Sequence, residues 1–225
     1  MSRARVVGLY AGGVSPLPPE GRPSGIVKKQ LDGPAMLGRE GLEGDAQADR
    51  RVHGGPEKAL HHYAVESYAA LAAVFPGIAA QLVPGSIGEN LSTEGWTEAQ
   101  VCIGDVFRLG EARIQVSQPR SPCWKIDHRY GEPALSRAIA ERGLTGWYYR
   151  VLEPGRVGPD SEFELLDRGG SAATIRRLWT ANLARRPDPD ELALLAAAPG
   201  LNPGWAKKLA DRLDWLRRNP ELDLR

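Results

Sequence analysis

Cys123 sits in the stretch SQPRSPCWKI, residues 117–126, with Arg120 and Lys125 on either side and Pro119 and Pro122 just before it. A thiol acts as a nucleophile or as a ligand for a soft metal only as its thiolate, a form that nearby cations favour. Arg120 and Lys125 could supply that charge, with His128 a further candidate. Proline fixes φ and carries no backbone donor, so the chain around the thiol is stiff, which suits a ligand that must point one way. A structural cysteine in a proline-rich loop is the competing reading, and the local sequence does not separate the two. Cys102, between Val101 and Ile103, reads instead as a small core or strand residue. With two cysteines and no convincing signal-peptide core in MSRARVVGLYAGG, free thiols in a reducing cytoplasm are expected rather than a disulfide.

A second concentration of chemistry is GLEGDAQADRRVHGGPEKALHHY, residues 41–63. It gathers Asp45, Gln47, Asp49, Arg51, His53, Lys58, His61 and His62 around several glycines, among them Gly54 and Gly55. Glycines let backbone approach a ligand closely, and exposed backbone N–H groups can cradle an anion. The order His53, Gly54, Gly55, then Lys58 and a helix start could present both a dipole and an ammonium to a phosphate. A zinc site is disfavoured, since the HExxH and CxxC spacings are both missing. The bland alternative is a polar surface loop with His61 or His62 against the core. Lys28 and Lys29, in PSGIVKKQL, read as a solvated pair of which one could point inward to an anion. In PGSIGENLST, residues 84–93, Gly85 and Gly88 predict a flexible loop that offers Glu89 and Asn90. The chain holds no GxGxxG, Walker or GxSxG pattern, which argues against nucleotide enzymes and serine hydrolases.

The elements that must position these residues fall into two compositional blocks. Residues 1–170 read as β-rich: RVVGLYAG, the two runs of VCIGDVFRLGEARIQVSQ, GWYYRVLEPG and SEFELLDR. Ile114 and Val116 alternate with Arg113, Gln115 and Ser117, the period of a half-buried strand. Two helices are expected there, over 64–76 with Pro76 as its end and over 133–143 with Pro133 in its first turn. Short strands with few helices suggest a closed or folded-over β-barrel. Residues 171–225 carry three helical patterns and no strand pattern. Ile175, Leu178, Trp179 and Leu183 share one face of the first. Asp188 caps the second, with Pro189 following and Glu191 completing a capping box. Asn202 and Pro203 open the third, in which Trp205, Leu209, Leu213 and Leu216 form a stripe. A three-helix mini-bundle is expected rather than a DNA-reading helix-turn-helix. Its core is marginal alone, so it should pack on the barrel or on a partner. The domain division is therefore 1–170 and 171–225.

Lys and Arg number 29 against 28 Asp and Glu, a net charge of +1, so no global field points to nucleic acid. No apolar run reaches the roughly 20 residues that span a membrane. A non-membrane cytoplasmic protein is expected, with oligomeric state unreadable.

SGIVKK, GLEGDAQADRRVHGG, EKALHHY, GENL, CIGDVFRLG, SQPRSPCWK and GWYYRVLEPG occur in this order. Together they make the chain resemble the MOSC family, named for the C-terminal domain of molybdenum cofactor sulfurase, and within it the YiiM-like group with its C-terminal three-helix segment. The resemblance implies a mainly β fold: a MOSC-type barrel with peripheral helices, followed by the small helical segment. It matches the family's hallmark cysteine to Cys123, which would ligate molybdenum of the molybdenum cofactor (molybdopterin) or carry sulfur. It implies reduction of N-hydroxylated compounds, such as hydroxylaminopurines and other hydroxylamines, to amines, in a detoxification role. The cofactor's own dithiolene leaves room for a further soft thiolate, and its phosphate calls for cations. Lys28, Arg120 and the loop of His53, Gly54 and Gly55 would then hold it, with Asp45, Asn90 and His62 as orienting groups or proton donors. His53 is the candidate general acid. Pyridoxal phosphate is not expected, since it belongs to a sulfurase domain that is not read here. No flavin, haem or iron–sulfur pattern is present, so an external reductase would supply electrons. Two other readings use the same residues differently. One is a non-catalytic cofactor carrier or persulfide relay at Cys123. The other is a scaffold barrel whose C-terminal helices do the work.

Overall fold

The computed structural model describes residues 3–49 and 53–220; Arg51, one of the cations noted above, lies outside them. Strand β1 (Arg3–Ala11) is followed by the ribbon β2 (Ser15–Leu17) and β3 (Arg22–Ser24), then β4 (Lys29–Gln30), β5 (Ala35–Gly38) and β6 (Gly41–Leu42). Further on come β7 (Leu60–Ala64), β8 (Leu91–Glu94), β9 (Val106–Leu109), β10 (Ala112–Pro119), β11 (Trp147–Glu153), β12 (Gly155–Val157) and β13 (Phe163–Asp167). Seven of these close a barrel in the order β1, β8, β7, β11, β10, β9, β13 and back to β1, where Arg3 pairs with Glu164 and Ala4 with Phe163. The alternation read in ARIQVS holds as far as Val116: Ile114 and Val116 are fully buried while Arg113 is exposed, but Ser117 is buried too, where a register shift between Val116 and Gln118 breaks the period. Phe107 stacks on Phe163 at 4.7 Å inside the barrel. The segment EPGRVGPDS is more than a connection, because Gly155–Val157 pairs with β5.

Within the ring every neighbouring pair is antiparallel except β7 and β8, which run parallel with His62 beside Leu91. A parallel pair needs a crossover. Helix α1 (Val65–Val74) supplies it, starting directly from β7 and giving way to a 3-10 turn opened by Pro76. The expected flexible loop before β8 is in fact tied down. The Glu89 carboxylate, fully buried, accepts from the backbone N–H groups of Gly85 and Ile87, from the Tyr68 hydroxyl and from the Ser92 hydroxyl. Helix α2 (Trp124–Tyr130), not expected from sequence, begins immediately after Cys123. Helix α3 (Leu135–Arg142) starts two residues after Pro133, later than expected, and ends at Gly143 with φ of 65°. Tyr63, Tyr68, Leu71, Ile87, Ile126, Leu135 and Ile139 form the apolar cluster that fastens α1, α2 and α3 to the barrel.

The C-terminal block forms α4 (Ile175–Leu183), α5 (Pro189–Ala196) and α6 (Pro203–Arg218). Asp188 and Asn202 cap α5 and α6 through their side chains. The capping box is not completed: Glu191 turns away to pair with Arg177 at 2.5 Å, because a guanidinium offers two charge-assisted bonds where the cap offers one N–H. Leu183 stays 47 % exposed, whereas Ile175, Leu178 and Trp179 are buried. Trp205, Leu209, Leu213 and Leu216 join the barrel interior in one continuous apolar cluster, each buried side chain contributing about 1.5–3 kcal/mol. At Gly104 and Gly200 the seam between helices and barrel is backbone against backbone. A Cβ on Gly104 would lie 2.4 Å from the Pro199 carbonyl oxygen, and one on Gly200 would lie 2.7 Å from the Gly104 Cα.

Candidate functional site

Cys123 lies where two recesses meet. The inner one is a small chamber of about 80 Å³ beside the barrel, bounded by the loops around Lys28, Asp45 and His53, by β7, and by Arg120 and Tyr148. The outer one is a wider groove lined by Arg22, Trp124, Gln118 and, from α6, Trp205. Cys123, His53, Lys58, Lys125 and Tyr148 line both. The thiol is half-buried and free. Its residue is the cap of α2, held extended at φ −130°, ψ 159°, with its carbonyl accepting from the Ile126 N–H at 3.0 Å. Stiff proline-flanked chain thus delivers the cysteine to the start of a helix.

Of the residues singled out from sequence, the chamber gathers Lys28, Asp45, His53, Gly54, Asn90, Arg120 and Cys123. Gly54 has φ of 89°, a left-handed conformation that favours glycine, and it packs against the Gln47 side chain. Gly55 does not line the chamber; it introduces the 3-10 turn Pro56–Lys58. His62 is elsewhere. Successive residues of a strand face opposite ways, so His61 lines the chamber while His62 points into the barrel. There both ring nitrogens of His62 are engaged, by the Tyr149 hydroxyl at 2.9 Å and the Thr93 hydroxyl at 2.8 Å. It cannot orient a ligand in the chamber.

The charges divide unevenly. The Lys28 ammonium and the Asp45 carboxylate form a buried ion pair, and Asp45 also accepts from the Gly12 N–H at 3.1 Å and from Gln47 at 3.3 Å. Burial lowers the Lys28 pKa, with Asp45 opposing. Lys28 is therefore compensated within the wall, while Lys29 is exposed. Arg120 differs: it is buried, and its Nη1 has no hydrogen-bond partner among the described residues. An unmatched buried guanidinium nitrogen is costly, and an anion in the chamber would remove the cost. Asn90 acts as a staple, its oxygen accepting from the His61 N–H and its amide donating to the Tyr10 carbonyl.

Burial lowers the His53 pKa below its ordinary 6.5, and the cations of Lys125, Arg120 and Lys58 push the same way. His61 is lowered further, by burial and then by Arg120. Both imidazoles are neutral at pH 7 in the protein as it stands. Burial pushes the Tyr148 phenol up, so it too is a neutral hydrogen-bonding group.

Three contributors were not visible in the sequence. Tyr148, on β11, faces the chamber by strand alternation, with its ring 5.1 Å from His61. Trp205 enters the groove from the C-terminal helices. Glu57 fastens those helices to the site: it takes two hydrogen bonds from Arg150, at 2.9 and 2.5 Å, and one from the Asn202 amide at 3.3 Å. Arg150 also donates to the Gly200 carbonyl at 2.8 Å. Glu57 immediately precedes Lys58, which lines both recesses. Nothing in the sequence connects Glu57 to Asn202.

A barrel with peripheral helices, followed by a three-helix segment, agrees with the comparisons. The MOSC domain matches residues 49–164, and a YiiM-like 3-alpha helix domain matches residues 174–214. The chain belongs to the MOSC family. Within it, Protein YiiM of Escherichia coli (strain K12) is 43% identical over 206 residues, covering 92% of this chain and 91% of that one. The crystal structure of YiiM from Escherichia coli superposes with a TM-score of 0.80 at 36% identity, over 96% of this chain and 94% of that one. A protein named Reductase from Gibberella moniliformis (strain M3125 / FGSC 7600) is 36% identical over 146 residues, 64% of this chain but 26% of that longer one. The MOSC barrel and the YiiM-like helices are therefore the frame on which the chamber is built. Among the described residues no helix is long and apolar enough to cross a membrane.

Proposed function

We propose that this MOSC protein holds the molybdenum cofactor in the inner chamber, with Cys123 as protein ligand to the metal, and reduces N-hydroxylated compounds to amines. The observation that carries this reading is the position of Cys123: one half-buried thiol, shared by a basic inner chamber and an accessible outer groove. The donor set fits. Among the described residues no group of three His, Cys, Asp or Glu side chains could hold a bare metal ion. A metal bound here would bring most of its own ligands, as molybdenum does in its dithiolene, and take one soft thiolate from the protein. The partnerless Nη1 of Arg120 suits the cofactor's phosphate. Lys28 and Asp45 would shape the wall rather than neutralise the ligand, because each already serves the other.

The overall reaction is R–NHOH plus two electrons and two protons giving R–NH₂ and water. The bound cofactor supplies the two-electron redox chemistry. The protein's part is to bind, orient and supply protons. His53, at the junction of the two recesses, is the candidate proton donor. Its lowered pKa leaves it neutral beside the charges of Lys125, Arg120 and Lys58; with an anion among those cations, His53 regains affinity for a proton. Electrons come from an external reductase. The accessible groove favours an enzyme over a storage protein, since a carrier has no use for a second recess at the ligand.

The test is elemental analysis of wild type and Cys123→Ser, each purified from a host that makes the cofactor and from one that does not. Near-stoichiometric molybdenum is expected only in the wild type from the competent host, together with hydroxylamine reduction once a reductase is supplied. Metal-free wild type with a persulfide on Cys123 by mass spectrometry would replace this reading with a sulfur relay.

A further inference from the structure

The groove outside the chamber carries an arrangement that cofactor binding does not require. Trp124 follows Cys123 in the chain and opens α2, yet its side chain is left 39 % exposed in the groove wall. A large aromatic at a fixed helix start, one residue from the reactive thiol, is costly to leave wet. Its orientation is set in advance. The Arg22 guanidinium lies 5.2 Å from the ring centroid, and the His128 ring meets it edge-on at 4.6 Å. Such pre-ordering lowers the entropic cost of a stacking contact.

Trp205 lines the same groove from α6. It is held by Trp179, whose ring is 6.2 Å away, and by the Asn202 cap, which Glu57 ties to the loop beside the chamber. The groove therefore has Trp124 and Tyr148 from the barrel side and Trp205 from the helical segment.

We propose that Trp124 is the platform on which the flat part of a substrate stacks, and that Trp205 completes the groove, so that the C-terminal helices take part in substrate choice. The inference rests on the reductase reading and adds to it a selector of flat over small substrates. A ring stacked on Trp124 lies beside Cys123, which places a substituent on that ring at the mouth of the chamber.

The test compares kcat/KM for 6-N-hydroxylaminopurine with that for N-methylhydroxylamine in wild type, Trp124→Ala, Trp124→Phe and Trp205→Phe. Aromatic stacking on a base implies a drop of about tenfold in the flat-to-small ratio for Trp124→Ala, carried by KM, with most of it restored in Trp124→Phe. Trp205→Phe lowers the same ratio less. An unchanged ratio in Trp124→Ala overturns the platform, and an unchanged ratio in Trp205→Phe overturns the part given to the helices. Calorimetry with adenine on the same proteins separates this from the chemistry. If wild type reduces neither compound, the reductase reading falls. Adenine that binds wild type and is weakened by Trp124→Ala then still supports the platform, and adenine that does not bind overturns it.

Discussion

The barrel interior and the chamber beside it share strand β7 and treat its polar groups in opposite ways. Inside the barrel, His62 has a partner for each ring nitrogen and aromatic rings around it. One residue earlier, on the other face, His61 lines a chamber in which Arg120 keeps a nitrogen without a partner among the described residues. Unmatched atoms are not confined to the chamber, since Trp147 Nε1 inside the barrel also lacks a partner among the described residues. The chamber differs in that its unmatched nitrogen belongs to a charged guanidinium lining a recess, where an anion can reach it.

The largest test of that contrast is acidification. Burial holds the His62 pKa at about 3 in the folded chain, against an ordinary 6.5. As pH falls below 6.5 the unfolded chain takes up a proton that folded His62 refuses. The stability present above 6.5 is then lost progressively toward pH 3, on the order of 4 kcal/mol in all. His61, also lowered by burial, adds a loss of the same sign. Urea midpoints measured above and below the ordinary histidine pKa should fall on the acid side, and His62→Phe should flatten the slope.

A smaller effect is expected in the chamber wall. Asp45→Asn leaves the Lys28 ammonium buried without its carboxylate, a loss of about 3 kcal/mol. Lys28→Met combined with Asp45→Leu should recover most of it in the same denaturation assay. If the single variant costs nothing, the pair is not the self-sufficient wall described here. The smallest effect is that of His62→Phe at neutral pH. It removes two buried hydrogen bonds while keeping a ring in place, for about 2 kcal/mol by urea titration. Molybdenum content per folded chain should not change, because His62 does not reach the chamber.

Much of this molecule is legible in its sequence, and the misses have a common cause. The caps at Asp188 and Asn202 and the stripe from Trp205 to Leu216 are local signals, and each forms as read, as does the alternation in ARIQVS up to Val116. Cys123 stands out because its neighbours are charges and prolines rather than apolar residues. The misreadings are cases in which a distant partner decided. HHY carries no sign of which histidine faces inward until β7 is paired with β11 and β8. The loop before β8 looks flexible until Glu89 is buried with Tyr68. Glu191 fits a capping box until Arg177 comes within reach. Lys28 and Asp45 both read as ligand-binding groups because their pairing spans seventeen residues that fold only with the barrel. Helix α2 is short and preceded by prolines, so its pattern is over before periodicity can show.

The bare-backbone seam at Gly104 and Gly200 bears on how such a gene can change. Any side chain at either site intrudes on main chain of the other half, and main chain has no rotamer in which to step aside. A substitution at either position therefore has to move main chain rather than a side chain. A recombinant that joins this barrel to a foreign helical segment keeps the fit only if it carries a glycine on both sides of the seam.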